Sequence, residues 1–511
     1  LTEGNPYFIE EVMKSLVSSG ELRLEGRRLE RGAAGELHVP RSVQDAVQER
    51  IGTLSERARE TIQHAAVTGR RFDFALLQAL SQMSEEELLQ VIKEMIGAQL
   101  VAEESADHFT FRHALTQQSI HAQLLARERR ILHRRVGEAI QSVYADTIEQ
   151  HLPDLAHHFH AAEAWDESYY YCRRAAARAA ELHAPGIVVE QVSRALEAAS
   201  HLDVSAPSQL HRMRGQAYEA IGDFVNARLD YERTIELAKA SGDGAGEWQG
   251  LIDLGFLWAF RDYDRAGGYF RQASDLAEAL GDPALLARSL NRFGNWLANI
   301  GRPEEGISFH ERALLKFEEL GDERGRVETL DLLGMCSGLL GDLPSSIRHF
   351  DAAASRCTPL GDKNLCASVF SSYATWRSPS MAEATHTIAA GPEACYEAAG
   401  AATRFAIESG SLPAESFACF TEAAVCSGFG RLGEAIRHAT EGRRLAAEAG
   451  HRQWVIASGY TLGQAYLYAL ALDEAVAVLE EATALATDLG SAWWMGNTRS
   501  HLARAHLARR E

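Results

Sequence analysis

Two consecutive stretches decide the fold: GDPALLARSLNRFGNWLANIGRPEEGISFHERALLKFEEL at 281–320 and GDERGRVETLDLLGMCSGLLGDLPSSIRHFDAAASRCTPL at 321–360. Both open on Gly-Asp, both turn again half-way (Gly301-Arg302, Gly341-Asp342), and both place a glycine at the same offset, Gly294 and Gly334. Outward from this pair a small residue keeps the beat at Gly215, Gly255, Gly294, Gly334, Ala374, Ala423, Gly463 and Ala503. The steps are 40, 39, 40, 40, 49, 40 and 40. Gly242-Asp243 and Gly361-Asp362 repeat the opening mark, and Gly410, Gly450 and Gly490 follow it. Between the marks, apolar residues such as Leu251, Leu254 and Trp258 recur three and four apart, which is helical spacing. Each unit is therefore two helices with a glycine stop between them and another after them. A fixed period of this kind predicts a solenoid.

Upstream, residues 1–40 read as a junction: a capped amphipathic helix over 4–22, ended by Gly20, then a polar stretch to Pro40. Residues 41–142 read as a compact domain with helices at about 42–53, 55–68, 73–80 and 84–99, then a hairpin of Leu100–Ala102 with His108–Phe111. Ser84 with Glu87 makes a capping box. Three helices and a hairpin follow the order of a winged helix. Residues 150–202 read as a degenerate first helical hairpin, and Asp203 to Pro207 as a linker. The repeats occupy 208–511, truncated in the last one. Nine extra residues between Ala374 and about Cys395 are expected to form a longer loop. The chain begins without methionine and stops one helix into a repeat, so it reads as a fragment.

A formal charge of −20 argues against a nucleic-acid glove. Seven scattered cysteines without a Cys-x-x-Cys pair read as reduced, cytoplasmic thiols. No apolar run approaches the roughly 20 residues that span a bilayer, so no membrane partner is expected. A phosphate loop needs Gly-Lys-Ser/Thr, and none of the five lysines follows a glycine. No catalytic, cofactor or metal site is expected within this chain. His157, His158 and His160, with His151 nearby, are adjacent on a helix and point about 100° apart, so only one or two could converge. They read as helix histidines, not ligands. From 126 to 135, five arginines face one glutamate, read as a solvated or domain-facing basic face. The helix at 84–99 holds the place of a DNA reader, but Glu85, Glu86, Glu87 and Glu94 against Lys93 speak against that use.

Leu254-Gly255 with Trp258, and Leu462-Gly463 with Tyr466, fit the Leu-Gly-x-x-Tyr pattern of tetratricopeptide repeats. The expected fold is thus all-α: a winged-helix-like domain, then a right-handed α-solenoid of about 40-residue tetratricopeptide-like hairpins. Residues just after the small position, and three or four away, should look into the groove of such an array. That phase selects Asn291, Asn295 and Asn299 in one repeat, Phe256 and Phe260 (with Ile252) in its predecessor, and Asp331 and Met335 in its successor. Amides between apolar neighbours suit an effector with an apolar body and a few hydrogen-bonding groups.

GNPYFIEEV at 4–12 resembles the end of the ATPase module in STAND-type signalling ATPases. VPRSVQDAVQERI at 39–51 and FTFRHALTQQSIHAQLL at 109–125 resemble their winged-helix segment. LHRRVGEAI at 132–140 and LAHHFHAAEAW at 155–165 resemble the lead into their repeats. The hairpins are similar to the sensor arm of the maltose-regulator type, found in large LuxR-type transcriptional regulators. The resemblance implies the sensor and regulatory arm of an ATP-dependent switch. Its ATP-Mg module would lie upstream in cis, and its repeats would take a protein or small-molecule effector. DNA would be bound only through an effector domain outside this chain, and activation could bring oligomerisation. Two other readings stand beside it: the regulatory tail of a nucleotide cyclase or protein kinase, and a plain protein-binding scaffold.

Overall fold

The computed structural model describes residues 22–25, 28–31, 41–204, 207–259, 261–382 and 391–510. The helix expected before Gly20 lies outside them. The chain divides into two compact units, Leu1–Ala206 and Pro207–Glu511.

In the first unit, β1 (Leu22–Glu25) and β2 (Arg28–Arg31) form a short antiparallel hairpin in the stretch read as merely polar. Then come α1 (Arg41–Gly52), α2 (Glu56–Thr68), β3 (Arg71–Asp73), α3 (Phe74–Ser81), α4 (Glu85–Gly97), β4 (Val101–Glu103) and β5 (His108–Phe111). The sheet order is β3-β5-β4, all antiparallel. Strand β3 departs from the sequence reading, which has a helix beginning at residue 73. Three residues are too few to show a period, yet Phe72 is buried against the rings of Phe109 and Phe111 at 6.0 and 5.7 Å. Asp73 then closes the strand and caps α3, accepting from the Leu76 N–H at 2.8 Å. Ser84 and Glu87 form the reciprocal capping box at α4. One apolar core, including Ile62, Leu77, Leu88, Met95 and Phe111, joins these elements. The unit continues through α5 (Ala114–Gln123), α6 (Ala126–Val143), a 3-10 turn (Ala145–His151), α7 (Leu152–Ala161), α8 (Trp165–Glu181) and α9 (Pro185–His201).

The second unit is a solenoid of helical hairpins. They are α10 (Ser208–Ala220) with α11 (Phe224–Ser241), α12 (Gly244–Ala259) with α13 (Tyr263–Leu280), and α14 (Pro283–Asn299) with α15 (Pro303–Leu320). Next come α16 (Glu323–Leu339) with α17 (Leu343–Leu360), then α18 (Lys363–Arg377), the short α19 (Pro379–Ala382) and α20 (Pro392–Ser409). The array ends with α21 (Leu412–Gly428) and α22 (Leu432–Glu448), α23 (Arg452–Tyr468) and α24 (Leu472–Leu489), and α25 (Ala492–Arg509). No described helix is long and apolar enough to cross a membrane.

The repeated Gly-Asp pair is both a stop and a start. Gly281 and Gly321 end their helices at φ of +68° and +67°, a region open to glycine at little cost. The next residue caps the following helix: Asp282 accepts from the Ala284 and Leu285 N–H groups, and Asp322 from that of Gly325. The small position marks the closest approach within a hairpin. A Cβ at Gly334 would sit 2.7 Å from the Phe350 ring. The array curves until its early repeats meet its late ones. Tyr263 packs with Ile456, Leu489 and Trp494, and its hydroxyl donates to Gln453 Oε1 at 3.3 Å across 190 residues.

Candidate ligand groove

Where the array closes, the first helices of its hairpins enclose a cavity of about 80 Å³. Its wall is aromatic: Trp376 from α18, Phe417 and Phe420 from α21, Trp454 from α23, and Trp493 and Trp494 from α25. The rings brace one another. Phe417 stacks on Trp454 at 4.1 Å, Phe420 meets Trp494 edge-on at 6.1 Å, and Trp376 lies 6.0 Å from Trp493. Offset and edge-on pairs of this kind add about 0.5–1.5 kcal/mol each beyond area burial. Asn299, Gln453, Ser372 and Thr375 supply the polar part of the lining, and Met335 and Leu339 the aliphatic part. By volume the cavity is a slot on the scale of one side chain, about half the size of an engineered cavity of about 150 Å³ that binds benzene.

The slot does not stand alone. A second opening of about 90 Å³ shares Asn299 and Gln453 with it and adds Asn295, Tyr263, Phe256 and Arg292. A third, of about 400 Å³, shares Phe256 and Arg292 with the second. The third is charged: Arg288, Arg292 and Arg324 gather there with Glu328 and Asp322. Arg292 pairs with Glu328 and lies 5.0 Å over the Phe256 ring. Burial, together with Arg324 and Arg288, lowers its pKa to about 10. The three openings thus form one trail, mixed-charge at one end and aromatic at the other.

Among the residues chosen from phase, Phe256, Asn295, Asn299 and Met335 line this trail. The amide of Asn299 donates to the Asn295 backbone oxygen at 2.9 Å, leaving its own oxygen 3.4 Å from the Tyr263 hydroxyl. Asn291 and Asp331 do not look into the groove, a correction to the sequence reading. Asn291 is 1% exposed; its amide donates to Thr329 Oγ1 at 2.7 Å and its oxygen accepts from His310 Nδ1 at 3.0 Å. Asp331 is buried and accepts from the Ser368 hydroxyl at 3.4 Å, with its other oxygen unpaired. Both sit three residues before the small position, and Thr329 and Ser368 belong to the next inner helix along. That phase is the seam between neighbouring inner helices, not the open face. Phe260 lies outside the described residues.

Sequence reasoning missed the aromatic slot. Its signal was present as an adjacent tryptophan pair, Trp493-Trp494, with Trp454 and Trp376 on other inner helices.

No protein-family model matches the chain, and no curated protein matches it. Solved structures that it is similar to include a STAND protein with a tetratricopeptide repeat sensor from Pyrococcus horikoshii, at 12% identity and a TM-score of 0.41. That match covers 80% of this chain and 66% of the other. Another is aspartyl phosphate phosphatase F from Bacillus subtilis, at 13% identity and a TM-score of 0.47, covering 81% and 96%. The quorum sensor NprR from B. thuringiensis in its apo form matches at 12% identity and 0.42, covering 72% and 96%. At such scores these likenesses carry nothing about function.

Proposed function

We propose that this chain is the sensor and regulatory arm of a STAND-type, ATP-dependent signal-transduction regulator, and that its repeat groove takes an extended peptide effector. The observation that carries the effector class is the trail of three openings joined by Phe256, Arg292, Asn299 and Gln453. A compact metabolite would fill one opening. A strand-like peptide would use all three, placing an apolar side chain in the tryptophan slot and a charged one beside Arg288 and Glu328. The STAND reading takes support from the first unit's antiparallel sheet of order β3-β5-β4, which is compatible with the winged helix that the sequence resemblance implies. Its helix α4 places acidic groups on the surface, Glu87 on Arg57 at 2.8 Å and Glu94 on the Ser55 hydroxyl at 2.8 Å, which speaks against DNA reading by this helix. The nucleotide module and the output domain are assigned to sequence outside this chain. A cyclase- or kinase-linked output, or a plain scaffold, would use the same groove.

The test is selection of a displayed random-peptide library on the full chain. Enriched peptides are expected to compete with one another and to lose at least about tenfold in affinity on Trp493→Ala or Phe256→Ala. Peptides that bind both variants as tightly as the parent chain would overturn the groove assignment.

A further inference from the structure

Four histidines of the first unit converge where α6 packs on α7. His133 comes from α6, His157 and His158 from α7, and His121 from the end of α5. One ligating nitrogen from each of His133, His157 and His158 lies within 4.8 Å of the others. The closest pair is His133 Nδ1 and His158 Nδ1 at 2.9 Å. The ring centroids stand 5.1 Å apart for His133 and His158, 5.5 Å for His133 and His157, and 5.2 Å for His157 and His158. His133 and His158 are buried, while His157 opens to solvent. Two of the run of α7 histidines converge, as a 100° offset permits. The third nitrogen comes from another helix, which no local spacing could show. His160 stays out of the set, 3.4 Å from Glu197 and Ser168.

We propose that His133, His157 and His158 form a zinc site that fastens α6 to α7. Zinc takes imidazole nitrogens at about 2.0–2.1 Å, which puts tetrahedral ligands about 3.3 Å from one another. The His133–His158 spacing of 2.9 Å lies just under that value and the other nitrogens lie within 4.8 Å, so rotation of the rings can assemble the set. The fourth position falls on the solvent side, beside His157, and takes water. His133 also has an orienting partner: its Nε2 lies 3.4 Å from His121 Nε2. With Nδ1 on the metal, Nε2–H of His133 donates to His121, the arrangement that fixes the tautomer of a ligating imidazole. Proton balance is simple. Zinc takes the neutral imidazole. In the metal-free pair one Nδ1 must carry a proton to bond the other. On zinc uptake that ring carries its proton on Nε2 instead, and no proton is released. The charged groups that bear on the cluster are Arg194 and Arg129 against Asp154 and Glu190, with His160 beside them, so the mixture neither neutralises nor repels a dication outright. The donor set holds nitrogen only, which suits zinc better than magnesium or calcium.

The experiment uses the whole chain, stripped with a chelator and titrated with Zn²⁺ against a chromophoric competitor, then with Co²⁺. One equivalent of zinc should bind, and cobalt should give the intense visible bands of a four-coordinate ion. His157→Ala, at an exposed position, should melt like the parent chain when metal-free. It should nevertheless bind zinc at least about tenfold more weakly and lose the cobalt bands. His183→Ala, an exposed histidine outside the set, should change neither. Zinc affinity equal in the parent and in His157→Ala, or only the pale spectrum of six-coordinate cobalt, would overturn the site.

Discussion

Asn291 and Asn295 are four residues apart on one helix, yet their substitutions should behave differently. Asn291→Ala would strip His310 Nδ1 of its acceptor inside the array, at a cost of about 1–3 kcal/mol for a buried group left unpaired. Asn295→Ala, on the open face, should stay within about 0.5 kcal/mol; urea melts of the two variants give the comparison. The asparagine stripe was visible in sequence, but which member faces the neighbouring helix was not, because that depends on how repeats stack. Asp331 makes a second residue-scale test. Burial raises its carboxyl from 3.8 to about 6, so the folded state holds the proton more tightly than the unfolded one. The stability this confers is full below about pH 4 and is lost as pH rises through about 6. Asp331→Asn should remove that slope and stabilise the chain near neutral pH by something on the order of 1–3 kcal/mol. Denaturation measured across this pH window reads the sign directly.

At the scale of elements, the hairpin is specified by a few positions that every repeat restates. Gly334→Leu must displace the Phe350 ring, 2.7 Å from where even a first carbon would lie. A loss of about 1–3 kcal/mol is expected, as for overpacked cores, with circular dichroism melts as the check. Asp322→Ala removes the acceptor for the Gly325 N–H at the start of α16 and should cost about 0.5–2 kcal/mol, the usual range for a lost helix cap. These positions were legible because period and turn chemistry are local. Strand β3 was not, since its three residues are held by rings contributed from Phe109 and Phe111, more than thirty positions away in the chain.

For the molecule as a whole, the number of hairpins could be counted from sequence, while the closure of the array could not. Closure is the sum of small rotations between repeats, and no single unit encodes it. Tyr263→Ala removes the hydroxyl that reaches Gln453 and the ring packed on Trp494. Small-angle scattering should then report a larger radius of gyration with helix content unchanged. The aromatic slot depends on the same meeting, so the variant should also lose peptide binding. Open repeat arrays gain and lose whole units over evolution with little penalty, because each unit answers only to its neighbours. An array whose α13 must land on α23 and α25 has surrendered that freedom. Adding or deleting one forty-residue hairpin between them would carry Tyr263 past its partners, so lengthening is tolerable only in loops that leave the inner path alone.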